Sequence, residues 1–161
     1  MCITSQKIGS IARKTHTLRL QGSINVLTAL EIMDMYDAEI AGIECESSFV
    51  GIFHRRDFAK NIARDRLDPE NTTLYEVMTL DMPSIAYDAT IKEAYEKMLA
   101  CHADYIAVFE ENERALCGIV FLSDLGNDVI QSFEKIRAEN EIIMDYIRSG
   151  ESYAIATYKR S

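Results

Sequence analysis

Two prolines and seven glycines in 161 residues leave no room for a long unstructured linker. No run of about 18 apolar residues occurs, so no membrane-spanning helix is expected. The first fourteen residues, Met1 to Lys14, contain no continuous apolar stretch of the signal-peptide kind. The four cysteines, Cys2, Cys45, Cys101 and Cys117, form no C-x-x-C pair, and the three histidines lie far from them in sequence. A zinc site is not expected from that spacing. Cys45, Cys101 and Cys117 stand in apolar contexts and read as buried free thiols, which suits a reducing, cytoplasmic compartment. Neither G-x-x-x-x-G-K-[ST] nor G-x-G-x-x-G is present. His16, His54 and His102 enter no nucleophile–base pattern, so no enzyme is expected.

Charge is lacking in one sense only. The net charge is −9, but residues 1–67 carry nine Lys/Arg against eight Asp/Glu, and residues 68–161 carry eight against eighteen. The acidic second part argues against duplex nucleic acid, which needs a basic footprint. Arg55, Arg56, Lys60, Arg64 and Arg66 gather the positive charge. They read either as a solvated helix face or as a site for a small phosphate-bearing ligand.

What is present is an internal repeat. Val26–Met33 aligns with Ile91–Met98 at an offset of 65, with Ala, Glu and Met identical. Gly51-Ile52-Phe53-His54-Arg55-Arg56-Asp57-Phe58 aligns with Gly118-Ile119-Val120-Phe121-Leu122-Ser123-Asp124-Leu125, now at an offset of 67. The two extra residues fall in 110–114, which reads as a hairpin tip, where a structural repeat tolerates insertion. Each copy predicts a short strand (Leu18 and Leu20; Ile85), then a helix with one apolar face. That face comprises Val26, Ala29, Leu30, Met33 and Tyr36 in one copy and Ile91, Ala94, Tyr95, Met98 and Cys101 in the other. Asp88 or Thr90 is a candidate N-cap supported by Glu93. A hairpin follows (39–45 with 49–53; 105–109 with 116–121), and a second helix begins at Arg56–Asp57 and at Ser123–Asp124. One copy alone would leave a sheet face bare, so the two are expected to bury a shared core.

The organisation expected is repeat one at 6–67, a linker at 68–74, repeat two at 75–132, and a helix and tail at 133–161. From Asn127 a helical stripe of Val129, Phe133, Ile136, Ile143 and Ile147 continues to about Ser149. It has one polar gap at Asn140 and a natural stop at Gly150. It reads as a dimerisation helix or as one folded back on its own domain.

The layout and the G-I-x-x-x-x-D element resemble the CBS domain, named for cystathionine beta-synthase. The resemblance covers about residues 6–132 and is carried best by Val77-Met78-Thr79, Ser84-Ile85, Ile91-Lys92-Glu93-Ala94, Gly118-Ile119-Val120 and Asp124. Arg56-Asp57-Phe58-Ala59-Lys60 is similar to the E-R-D-Y-A-R-K type of stand-alone bacterial CBS proteins. The resemblance implies an α/β CBS-domain pair, two β-α-β-β-α repeats around a pseudo-two-fold axis with a long C-terminal helix. It implies a regulatory, signal-transducing module with no required cofactor. An adenine nucleotide (AMP, ADP or ATP) would bind between the repeats; NAD and S-adenosylmethionine are other ligands of such pairs. In the family motif G-h-x-T/S-x-x-D the carboxylate accepts both ribose hydroxyls.

By that correspondence Asp57 leads one site with Ile52, His54, Arg55 and Arg56. Thr79, Ser84, Ala103 and Asp104 complete it from the other copy. His54 stands at the Thr/Ser position and could donate to phosphate, as Arg55 and Arg56 could. Asp124 and Ile119 mark a second, weaker site, expected closed or altered because Phe121 and Leu122 replace polar groups. Either aspartate could instead serve only as a helix cap. With no output domain recognisable, regulation is expected to act through a homodimer on an unknown effector protein. The other reading is a degenerate pair that is only a dimerisation scaffold.

Overall fold

The structure is a computed structural model that describes residues 5–111 and 115–158. Elements follow in the order α1 (Ile8–Ala12), β1 (Leu18–Gln21), α2 (Val26–Met35), β2 (Ile40–Cys45), β3 (Ser48–His54) and α3 (Arg55–Asp65). The second series is α4 (Leu74–Val77), β4 (Ser84–Ala86), α5 (Ile91–Ala100), β5 (Tyr105–Phe109) and β6 (Leu116–Phe121). A 3-10 turn, Leu122–Leu125, and the helix α6, Asn127–Tyr158, close the chain.

The strands form two three-stranded sheets, β1-β2-β3 and β4-β5-β6. In each, the first pair is parallel and the second antiparallel, with a bulge at Ile43/Glu44 and at the equivalent Val108/Phe109. The β2–β3 hairpin turns through Glu46 and Ser47, both at positive φ (48° and 68°), the backbone of a two-residue turn that matches strand twist. The tip of the other hairpin, with the inserted residues 112–114, lies outside the described residues.

The helices start where the sequence supplies caps. The Asn25 side chain accepts the Thr28 N–H at 2.8 Å ahead of α2. Thr90 and Glu93 form a reciprocal capping box on α5, and Thr73 and Glu76 repeat it on α4. Val26, Ala29 and Met33, and likewise Ile91, Ala94, Tyr95 and Met98, are buried. Tyr36 and Cys101, expected on those apolar faces, instead cap the helix C-termini and are exposed. The cysteines correct the expectation of buried thiols: Cys101 is exposed and Cys45 and Cys117 are half-buried, all free. They sit at a helix end and at strand positions open to one side. Cys2 lies outside the described residues.

The shared core is present: Ile40 and Ile52 of one sheet meet Ala107, Leu116 and Ile119 of the other. The repeats also exchange their leading segments. Ile8 and Gly9 donate to Ala89 and Tyr87 of repeat two at 2.9 and 3.0 Å, and Ile91 donates to Gln6. In mirror fashion Leu74 and Tyr75 donate to Ile24 and Gly22 of repeat one at 3.0 and 3.1 Å. Each copy therefore lacks a wall until the other supplies it.

Repeat two departs from repeat one after its hairpin. Ser123–Asp124 opens a 3-10 turn, not an α-helix, and Gly126 breaks the chain at φ 77° before α6 begins. Gly150 does not stop α6, which continues to Tyr158. A single glycine costs a helix about 1 kcal/mol, and the alanines and Glu151 beyond it favour helix. Residues 125–158 form a unit of their own. Among the described residues no helix is long and apolar enough to cross a membrane.

Candidate functional site

The motif glycines explain how a cleft is shaped. A Cβ on Gly118 would lie 2.5 Å from the Ala12 carbonyl oxygen and 2.9 Å from Thr15 Oγ1. A Cβ on Gly51 would lie 3.0 Å from the Thr79 carbonyl oxygen. Each glycine lets the segment ahead of the other copy's first strand pass against the hairpin. The two crossings then differ. On the Asp57 side, Ile52 and Thr79 bond backbone to backbone in both directions, at 3.0 and 2.7 Å. On the Asp124 side the Ile119 N–H donates to the Thr17 hydroxyl oxygen at 2.9 Å.

That second crossing borders a cavity of about 720 Å³. Lys14, Thr15, His16 and Thr17 form one wall, and Tyr36 to Ile40 form another. Ile119, Phe121 and Asp124 close the third. Asp124 and Ile119, whose site is expected closed or altered, thus line a cavity together with Phe121. Phe121 does not fill it, because its ring packs toward Tyr105, 6.5 Å away between centroids. Asp124 Oδ2 accepts the Phe121 N–H at 2.8 Å, which fixes the carboxylate at the end of β6. Tyr36 is 68% exposed at the rim, where a flat ring can stack on a base. Lys14 is one cation among Asp37, Glu39 and Asp124, with His16 exposed beside it.

The Asp57 side is arranged otherwise. His54 is buried, and its Nδ1 accepts the Arg56 N–H at 3.1 Å, so that nitrogen caps α3 and only Nε2 is left for a ligand. Arg55 turns to an ion pair with Asp34, and its Nε is buried without a partner among the described residues. Lys60 approaches Asp57 at 3.8 Å and Arg64 pairs with Asp65 at 2.9 Å. The basic cluster is therefore largely matched by local carboxylates. Tyr105, half-buried, packs 6.0 Å from the His54 ring. Burial pushes its phenol above the ordinary value, and the carboxylates of Asp57, Asp104 and Asp81 push it further the same way. Asp57, His54 and Asp104 are thus brought together, around a tyrosine and a third carboxylate. Ser84 lines a different cavity, beside Phe49, Leu80 and Lys97, and Ala103 is half-buried with its N–H bonded to the Met98 carbonyl.

Sequence reasoning missed Lys14, Thr15, His16, Thr17, Tyr36 and Glu39. For all but Tyr36 the signal was available: the rule that places 79–84 and 103–104 opposite Asp57 places 13–18 and 38–39 opposite Asp124. Among the described residues no group of three or more His, Cys, Asp or Glu is placed to hold a metal ion.

Residues 74–126 match the CBS domain family. No curated protein matches the sequence. Among solved structures, an uncharacterised conserved protein of Pyrococcus horikoshii is 22% identical, with a TM-score of 0.67 over 76% of this chain and 90% of its own. A CBS domain protein of Pyrobaculum aerophilum, complexed with AMP, is 15% identical, with a TM-score of 0.69 over 81% and 99%. A CBS domain pair in complex with 5′-methylthioadenosine and S-adenosyl-L-methionine is 22% identical, with a TM-score of 0.62 over 74% and 96%.

Proposed function

Because residues 74–126 are a CBS domain and the two repeats together have the fold of a CBS-domain pair, we propose that the protein is a non-catalytic regulatory module binding an adenosine-containing ligand between its repeats. The observation that carries this reading is the cavity of about 720 Å³ at Asp124, a size within the range of small-molecule sites. Its parts suit an adenosyl group. Tyr36, Ile40 and Ile119 offer apolar surface and a ring for the base. Asp124, held by one oxygen, has acceptor capacity for ribose hydroxyls. Thr17 accepts the Ile119 amide, which leaves its proton to donate.

The charge of the walls selects among ligands. One lysine and a histidine against three carboxylates cannot offset a triphosphate. A nucleoside, a monophosphate such as AMP, or a cationic adenosyl compound fits better. The Asp57 side sets Asp57, Asp81 and Asp104 about Tyr105, with Lys60 3.8 Å from Asp57 and Arg55 already paired with Asp34. Since α1 and the Thr15–Thr17 wall belong to repeat one and Asp124 to repeat two, a ligand there bridges both copies and biases their fit. The module is read as a homodimer that passes this bias to an effector protein.

The test is calorimetric titration of the full chain with adenosine, AMP and ATP, beside Asp124→Ala and Asp57→Ala. Saturable AMP binding, weaker ATP binding, loss with Asp124→Ala and retention with Asp57→Ala are expected, with the nucleotide recovered unchanged. No heat with any ligand would leave a dimerisation scaffold as the surviving reading.

A further inference from the structure

The helix α6 runs for 32 residues, about 48 Å at 1.5 Å per residue. Val129, Phe133, Ile136, Asn140, Ile143 and Ile147 follow one another at alternating spacings of four and three residues. That is the 3.5-residue repeat of a coiled-coil seam; Phe133, 4% exposed, is already buried within the chain, so the free part of the seam begins at Ile136. Gly150 and Ala154 continue the same register with small residues. The middle of the seam is uncovered: Ile143 is 55% and Ile147 49% exposed, flanked by Met144 and Tyr146 at 53% and 79%. Ion pairs lie outside the seam, Arg137 to Glu141 at 3.3 Å and Arg148 to Asp145 at 4.0 Å.

We propose that α6 pairs with α6 of a second copy as a parallel, in-register, two-stranded coiled coil in which Asn140 faces the partner's Asn140. The occupant follows from Asn140. With Ile136 and Ile143 as d positions, Asn140 is an a position, and an amide buried there alone would lose its hydrogen bonds to water. A parallel pair of identical helices sets each a residue against its own copy, so one amide N–H donates to the other amide oxygen. An antiparallel pair would set a against d, and Asn140 against an isoleucine. A different protein would have to bring a matching amide at the same layer. The flanks permit the parallel register: Glu139 would lie against the partner's Met144, so no like charges meet there. Ile142, also exposed, lies off the seam.

This inference rests on the homodimer of the preceding section and not on its ligand. The experiment is sedimentation equilibrium of the full chain, wild type against Ile143→Asp and Asn140→Ile. A wild-type dimer is expected, with its dissociation constant raised at least about 100-fold by two buried carboxylates in Ile143→Asp. Asn140→Ile should associate as tightly or more so but no longer as a single species. Orientation is read by oxidation of Ile143→Cys after Cys2, Cys45, Cys101 and Cys117 are replaced by alanine. A disulfide-linked dimer is expected from the parallel register. A wild-type monomer would overturn both this proposal and the homodimer. A dimer indifferent to Ile143→Asp, or one that fails to cross-link, would overturn the coiled coil alone. A monomer whose melting temperature falls in Ile143→Asp would mean that α6 folds back on its own chain.

Discussion

The motif glycine of repeat two should be far less replaceable than that of repeat one, and the reason is which atoms stand in the way. In Gly118→Ala the new methyl would sit 2.5 Å from the Ala12 carbonyl oxygen, where ordinary contact begins near 3.4 Å. That oxygen cannot withdraw freely. It accepts the Thr15 N–H at 3.3 Å and the Thr15 hydroxyl at 2.8 Å, and Ala12 itself is fully buried. The end of α1 must therefore move, and with it the Thr17 hydroxyl that holds Ile119. Overpacking of this kind costs about 1–3 kcal/mol, and the hydrogen bond about 1 more. At roughly 2–4 °C per kcal/mol for a chain of this size, the melting temperature should fall by about 5–15 °C. Gly51→Ala meets the Thr79 oxygen at 3.0 Å, and its other neighbours are the side-chain ends of Met78 and Leu80, which can swing away. About 1 kcal/mol is expected there. Thermal unfolding followed by circular dichroism, with AMP titrations of both variants, reads the ranking. Equal losses, or a larger loss for Gly51→Ala, would refute the claim that the α1 crossing is the tighter joint and the one that shapes the ligand cavity.

Three further outcomes follow from the same geometry. Arg55→Met should leave AMP affinity unchanged and alter stability by about 0 to 2 kcal/mol in the favourable direction. It removes a buried, unpartnered Nε–H and a pair whose Asp34 partner is 72% exposed; a large fall in either denaturation midpoint or affinity would contradict this. Lys14→Ala should weaken AMP binding about tenfold while leaving adenosine binding unchanged in calorimetry, because only the phosphate gains from the ammonium; an equal loss for both ligands would place Lys14 elsewhere in recognition. The Thr90 backbone N–H and hydroxyl hold the Glu93 carboxylate below its ordinary pKa. The contribution of this cap is complete above the unfolded value and is lost as pH falls through the lower folded one. The difference in melting temperature between wild type and Glu93→Ala should therefore shrink between pH 6 and roughly pH 3, and a difference that grows on acidification would reverse the assignment.

The repeat, its strands and the Thr90 cap were legible because they are local: periodicity, capping residues and turn chemistry act over a few positions. Thr90 with Glu93 and the antiparallel hairpins needed no long-range information. What escaped was relational. Tyr36 and Cys101 keep helical spacing, yet each lies one residue past its helix, where the face is no longer covered. Arg55 carries the right group for phosphate, but Asp34 claims it first, and the Arg56 amide takes Nδ1 of His54 and so leaves only Nε2 of that ring for a ligand. Phe121 looked like a plug because its position in the motif is normally polar; its ring instead packs toward Tyr105. In each case the residue type was read correctly and its direction was set by a partner elsewhere in the chain.

The pseudo-two-fold arrangement makes the two clefts formal equivalents, but the residues ahead of the first strands break that equivalence. Repeat one brings Lys14-Thr15-His16-Thr17 to the Asp124 cleft, while repeat two brings Leu80-Asp81-Met82-Pro83 to the equivalent crossing. Thr17 can hold Ile119 through its hydroxyl and still donate, whereas Pro83, at the matching place, offers neither a hydroxyl nor an N–H. Asp81 joins the carboxylates around Tyr105, where Thr15 contributes only a hydroxyl on the other side. A ligand with a phosphate and a ribose diol therefore meets Lys14 and two threonine hydroxyls beside three carboxylates in one cleft, and three carboxylates about Tyr105 with no matching hydroxyl from Pro83 in the other. The consequence is a stoichiometry: one ligand per chain, not two. Titration of the full chain with AMP should reach equivalence near one site. A second equivalent of comparable affinity would mean that the four residues before each first strand do not decide where the ligand goes.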